Sequence, residues 1–220
     1  MVSVPRPGQE SSVPAPVLRT PGKAPGPRAR RTQQLILDNA RELFMERGYQ
    51  GTSIEDITSA AGISRASFWT YFATKQDVLR SLGVDAEKAG LALAKEFAAL
   101  PVGADLEQVT EWVRSYLAFL DAYGAFLQAA LQAANDDPEL RAWTLASEMV
   151  GARVLGKGLA RQRGGRNPAG VSPVLEGLAV IAMMERFWYQ WRVNGAPFEE
   201  ETVTRSLAHF LWGAGRTLTE

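Results

Sequence analysis

The chain has no cysteine and a single histidine, His209, among its 220 residues. Without cysteine there can be no disulfide framework, thiol nucleophile, iron–sulfur cluster or Cys-type zinc site. One histidine leaves a His-based metal centre or a Ser-His triad without its usual partners. No phosphate-cradling glycine loop and no metal-ligand spacing is present, so no catalytic site, metal or cofactor is expected. Long apolar runs are missing too: none reaches the ~18 residues of a membrane span, and the N-terminus lacks the apolar core of a secretory signal. The simplest expectation is a reducing, cytoplasmic compartment and no membrane partner.

Net charge is also zero, yet the charges are unevenly placed. Residues 1–31 carry Arg6, Arg19, Lys23, Arg28, Arg30 and Arg31 against Glu10 alone, a net of +5. From 83 onward, 13 Lys or Arg face 17 Asp or Glu, a net of −4. A basic end joined to an acidic body suggests that the two meet different partners. A content of 46% hydrophobic and 22% charged residues is that of a soluble globular protein.

Residues 1–31 hold seven of the twelve prolines and show no apolar periodicity, so they read as a disordered basic tail ending in "RARR". From Thr32, apolar residues recur at helical spacing (Ile36, Ala40, Leu43, Phe44), and Gly48 closes the pattern. At "TSIED", Thr52 and Glu55 form a candidate capping box for a second helix ending near Gly62, and Ser64 can cap a third from about Arg65 to Phe72. Lys75 to about Leu100 reads as a longer helix, loosened at Gly83 and Gly90. Further helices are expected at about 105–134, 139–163, 172–194 and 199–216. No stretch alternates with period two for long enough to be a strand. The expected fold is all-α: a tail over 1–31, an N-terminal unit of three helices over 32–82 and a larger helical body over 83–220.

"IEDITSAAGISRASFWTYF" has the parts of a helix-turn-helix: two short helices joined by a tight turn with a glycine at its corner. Ile54, Ile57, Ala61 and Ile63 form an inward face and Gly62 permits the turn. At about 100° per residue, Phe68 and Phe72 share one side of the second helix. Ala66, Ser67 and Thr70 lie opposite, flanked by Trp69 and Tyr71. Small residues let a helix approach base pairs, and the flanking indole N–H and phenol O–H can donate to phosphates.

Residues 36–79 resemble the DNA-binding domain of the TetR family of transcriptional regulators, through "LF..RGY..TS", "AGIS", "FWTYF" and "K..VL" at the family's spacing. The resemblance implies phosphate contacts from Thr52 or Ser53, Ser64, Trp69, Tyr71 and Lys75, with Arg65, Ala66, Ser67 and Thr70 facing the bases. Arg65 is the one long donor there able to pair bidentately with guanine. Trp69 departs from the tyrosine usual at its position.

In the body, Trp112, Tyr116, Phe119, Tyr123 and Phe126 recur at spacings of four and three, so one helix face is lined with rings. That face is either core or the wall of an apolar ligand cavity, to which Trp143, Met149, Met183, Met184, Phe187, Trp188, Trp191 and Trp212 can add. The body is similar to the ethionamide-resistance repressor group of the same family through "EWVRSYLAFLDAYG", "MMERFW" and "LAHFLWGAG". This likeness implies a long ligand channel around Trp112, Phe119, Tyr123, Glu185 and Trp212, with Met184 where those relatives carry asparagine.

Gly177, Ala179 and Ala182 near one helix, and Ala208, Gly213 and Ala214 on the last, would allow close helix packing. In TetR-like proteins such a pair meets its symmetry mate in a four-helix interface; packing within one chain is the alternative. His209 reads as an interface or core residue rather than a catalyst. The expected function is a ligand-responsive regulator, a repressor that binds a palindromic double-stranded operator as a homodimer and leaves it when a hydrophobic small molecule binds. The competing reading is an all-helical carrier of hydrophobic ligands with no sequence-specific affinity for DNA.

Overall fold

The structure, a computed structural model, describes residues 26–165 and 170–214. The expected tail lies outside the described residues up to position 25. Among the described residues there is no strand, and the fold is all-α. The helices are α1 Pro27–Arg47, α2 Ile54–Ala60, α3 Arg65–Tyr71, α4 Lys75–Ala99, α5 Leu106–Asp136, α6 Pro138–Gln162, α7 Pro173–Trp188 and α8 Glu200–Ala214. A π-helical turn, Tyr189–Val193, extends α7.

Helix starts are set by local chemistry. Pro27, Pro138 and Pro173 open α1, α6 and α7 at the position where a missing N–H costs nothing. Reciprocal capping boxes open α2 (Ser53 with Asp56), α4 (Thr74 with Asp77) and α5 (Asp105 with Gln108). Two expectations are corrected here. Helix α1 starts at Pro27 rather than Thr32, because its first turns are polar and carry no apolar period to read. Ser53 and Asp56, not Thr52 and Glu55, form the second helix's box, because Thr52 is buried under the end of α1.

α1, α2, α3 and the first half of α4 close on Ile36, Phe44, Ile57, Phe68, Phe72 and Leu79. The same buried cluster continues into Phe126, Ala129, Ala130 and Ala133 of α5 and Leu140 of α6. Helix α4 runs unbroken through 82–83, so the division expected there is not a break in the chain. Gly83 and Gly90 do not loosen it. Instead they make room for rings, Trp143 and Phe126 over Gly83 and Phe119 over Gly90.

The body has a second core, in which Leu93 and Phe97 of α4, Trp112, Val113 and Leu120 of α5, Leu155 of α6, Met184 of α7 and Leu207 of α8 meet. Helix α6 packs chiefly on α7 and α4, and α8 lies on α5. Among the described residues, no helix is long and apolar enough to cross a membrane.

Candidate functional site: a nucleic-acid interface and a cavity

The turn between α2 and α3 is closed by backbone hydrogen bonds. Gly62 sits at φ 62°, a conformation that favours glycine, and the Ile63 N–H donates to the Thr58 carbonyl at 3.0 Å. Ser64 then caps α3 by accepting from the Ser67 N–H at 3.1 Å. Phe68 and Phe72 are buried, 5.8 Å apart between ring centroids, and anchor α3 to the small core. The opposite side of α3 is open: Arg65, Ala66, Trp69 and Thr70 are exposed, while Ser67 and Tyr71 are half-buried. Trp69 stands edge-on to Phe68 at 5.3 Å, which fixes its ring while leaving it in solvent.

Arg65, Ser53 and Thr70, expected to face DNA, have partners within the chain. Arg65 pairs with Glu55 at 2.8 Å, but both side chains are exposed, and such pairs are weak enough for a phosphate or guanine to displace. The Ser53 hydroxyl donates to Asp56, and its backbone N–H donates to the same carboxylate at 2.8 Å. The Thr70 hydroxyl donates to the Ala66 carbonyl at 3.1 Å and keeps its lone pairs free.

Thr52 and Lys75 face inward. The Thr52 hydroxyl lies inside, against the carbonyls of Gly48 at 2.9 Å and Leu43 at 3.2 Å, so its side chain cannot reach a phosphate. Lys75 directs its ammonium inward, donating to the carbonyls of Tyr49 and Thr52 at 2.7 Å each, 4.1 Å from the Tyr49 ring centroid. Burial holds the Lys75 pKa below its usual value. Burial, with the Asp137 carboxylate second, pushes the Tyr49 phenol up to about 12. In this conformation Lys75 is a clamp that ties the α1–α2 turn to the start of α4.

The basic cluster expected at the end of a tail is instead helical. Arg28, Arg30 and Arg31 stand exposed on the first turns of α1, with no acidic residue beside them in the first turn. Cations are disfavoured at a helix N-terminus by the helix dipole.

The cavity is in the body, with a volume of about 380 Å³, bounded by α4, α5, α6 and α7. Rings from Tyr116, Phe119, Phe126 and Trp143 line it, with small residues such as Ala86, Ala94 and Ala146 between them. The polar groups at its wall are few: Glu148 of α6, Glu185 of α7, and Glu87, Lys88, Thr144 and Ser147. Burial, with the nearby Glu148 charge second, pushes Glu185 up to about 7. Burial also raises Glu148, and it raises the Tyr116 phenol, with the Glu185 and Glu148 charges adding to that rise.

Tyr116, Phe119 and Glu185 are the expected ligand residues that the structure places in this wall. Trp112, Tyr123, Met149, Met184, Trp188 and Trp212 are not in it, and most have identifiable other work. Trp112 packs on Phe97 and donates its indole N–H to the Leu93 carbonyl at 2.9 Å. Tyr123 rests against Phe119, and Met184 is fully enclosed in the second core. Trp188 fills the space over Gly124 and donates to Asp121 at 2.7 Å. Trp212 donates to the Ala104 carbonyl at 3.1 Å beside a separate, much smaller recess. A wheel places five rings on one face of α5, but that 31-residue helix passes two cores and the cavity in succession.

Phe126 and Trp143, named among the rings of the body, are also in the wall, whereas Glu148 and Ala86 are wall residues that sequence reasoning did not single out. A signal for Glu148 was present, since it stands alone in the otherwise uncharged stretch "AWTLASEMVGA".

The small residues expected at a dimer face divide. Ala179 and Ala182 are exposed, but Gly177 lies against the Ala152 carbonyl of α6 and Ala208 is buried, so both serve packing within the chain. Ala214 lies at the end of α8, beyond the last side chain described. His209 is exposed on α8 and is not a core residue.

A helix-turn-helix with a clear, small-residue outer face, mounted on a helical body with a cavity, defines a DNA-binding regulator fold. Residues 36–82 match the family described as bacterial regulatory proteins, tetR family. Over 45 residues the chain is 40% identical to the biofilm operon icaADBC negative transcriptional regulator IcaR of Staphylococcus epidermidis, 20% of this chain and 24% of that protein. Over 44 residues it is 36% identical to the transcriptional repressor DhaR of a Mycobacterium species, 20% of this chain and 22% of that protein. The chain thus spans about a quarter of the length of the curated relatives it matches.

Solved structures extend the likeness to the fold of most of the chain. The TetR family regulator PfmR of Thermus thermophilus is 25% identical, with TM-score 0.63 over 80% of this chain and 96% of that one. The fatty acid degradation regulator FadR of Bacillus halodurans is 19% identical, with TM-score 0.67 over 87% and 97%. Residues 36–82 thus match the DNA-binding region of TetR family regulators, and the described fold is similar to that of solved members of that family.

Proposed function

We propose that the protein is a ligand-responsive repressor that binds a palindromic operator as a homodimer and releases it when a hydrophobic small molecule fills the cavity. One observation carries this reading. The cavity wall is also part of the core that holds the recognition helix: Ala86 and Phe126 line the cavity, and both belong to the buried cluster that contains Phe68 and Phe72. A ligand that fits better when these walls move apart favours a second position of α4 and so of α3. The lever is differential affinity, since a ligand binding both states equally would shift nothing.

Readout is assigned to Arg65, Ala66, Ser67 and Thr70, with phosphate contacts from Ser53, Ser64, Trp69, Tyr71 and the arginines opening α1. One short helix holds DNA weakly, and a symmetric dimer doubles the contact. The unpartnered outer faces of α7 and α8, with Leu175 at 64% and Phe210 at 60% exposure, are the surfaces assigned to the dimer. Selection of bound sequences from random DNA, together with sizing in solution, tests the reading. An enriched palindrome and a dimer are expected. No enriched sequence would leave the hydrophobic-ligand carrier as the better description.

A further inference from the structure

Inside the cavity, Glu148 and Glu185 face apolar surroundings with no hydrogen-bond or ion-pair partner among the described residues. Other carboxylates that approach the interior are matched. Glu176 holds Arg163 at 2.6 Å, Asp121 accepts from Trp188 at 2.7 Å and from Arg192 at 3.1 Å, and Asp137 accepts from two backbone N–H groups of α6. Burying an ionisable group unmatched is costly, so two of them in one cavity call for a partner that arrives from outside.

We propose that the cavity takes a hydrophobic cation, a molecule with an alkyl or aromatic body and one amine or quaternary ammonium group, seated between Glu148 of α6 and Glu185 of α7. This rests on the reading of the cavity as the effector site. The charge would lie between two carboxylates, and the faces of Tyr116, Phe119, Phe126 and Trp143 suit the same cation. The volume of about 380 Å³ is in the usual range of small-molecule sites. An anionic amphiphile, such as a fatty acid, would bring its carboxylate against two others.

The titratable groups facing the site are Glu87 and Lys88 from α4, Tyr116 from α5, Glu148 from α6 and Glu185 from α7. Lys88 lies 3.9 Å from Asp85 and is mostly in solvent, and Glu87 accepts from the Ser147 hydroxyl at 2.6 Å, so neither neutralises the inner pair. Burial pushes Glu185 up to about 7, so near neutrality it carries a proton part of the time. A bound cation favours the ionised carboxylate and displaces that proton, so affinity for the cation rises with pH through this range.

The test is calorimetric titration of the full chain with three probes of one tail length, decyltrimethylammonium, decanol and decanoate, each below its micelle concentration. The ammonium should bind about tenfold or more tighter than decanol, with decanoate weakest. Its affinity should rise between pH 6 and 8 while that of decanol stays level. Glu185→Gln and Glu148→Gln should each remove about tenfold of ammonium affinity and leave decanol within about twofold, the decanol titration also showing that the variants are folded. Decanol or decanoate binding as tightly as the ammonium overturns the cation and leaves the cavity as an effector site. Failure of all three probes to bind overturns both.

Discussion

The DNA-binding unit and the body treat buried polar groups in opposite ways. In the first, the inward Thr52 hydroxyl meets two carbonyls, the Lys75 ammonium meets two more, and each short helix has a side-chain cap. In the body four indoles are matched, Trp112, Trp188, Trp191 and Trp212 each donating to a carbonyl or carboxylate. The carboxylates of Glu148 and Glu185 are not. Matched polar groups favour one arrangement, whereas unmatched charge is improved by a partner, so the contrast sets a tightly bonded helix-turn-helix against a cavity suited to an incoming group.

Lys75→Met should break the comparison most severely. It keeps the stem but strips both carbonyls of their donor, and a loss of about 2–3 kcal/mol in denaturant unfolding is expected. If stability is unchanged while DNA affinity falls, Lys75 is a phosphate ligand after all and the clamp is incidental. Arg65→Ala is expected to do the reverse. Its exposed pair with Glu55 is worth well under about 1 kcal/mol to the fold, but the operator should be lost by about 1–3 kcal/mol with relaxed preference at one base pair. Equal affinity for the selected operator would remove Arg65 from the readout.

Glu185→Gln sharpens the body's side of the contrast. Burial raises the folded pKa to about 7 from an ordinary 4.5, so the folded chain holds a proton that the unfolded chain releases. That contribution is complete below about 4.5 and is lost as pH rises through about 7. Glutamine stays neutral throughout. The variant should therefore be more stable than the parent at pH 8, by roughly 1–2 kcal/mol, and the two should converge toward pH 5. Thermal melts across that range check the sign, and a variant less stable at pH 8 would mean that Glu185 has a cationic partner.

The helix-turn-helix was legible because its determinants are local: Gly62 at the corner, Ser64 three residues before the N–H it caps, Phe68 and Phe72 one turn apart. Where two adjacent residues offered the same chemistry, sequence could not choose. Thr52 and Ser53 can both cap, and what separates them is that the end of α1 covers one and leaves the other in solvent. Lys75 likewise has a family-like position, while its direction depends on carbonyls from 23 and 26 residues away. The cavity was legible only as a type of surface. Trp112 and Phe119 share a face of α5, but which ring meets a core and which meets a void depends on α4, α6 and α7 crossing that face at different heights.

Gly83 carries a genetic consequence. A methyl group there would sit 2.5 Å from the Trp143 ring and 3.0 Å from that of Phe126, two walls of the cavity, on a helix whose first half supports the recognition unit. Pushing those rings from behind resembles what a bound molecule does from within. If the protein is the ligand-released repressor proposed above, a screen for alleles that leave its target gene switched on without inducer should return substitutions at this position.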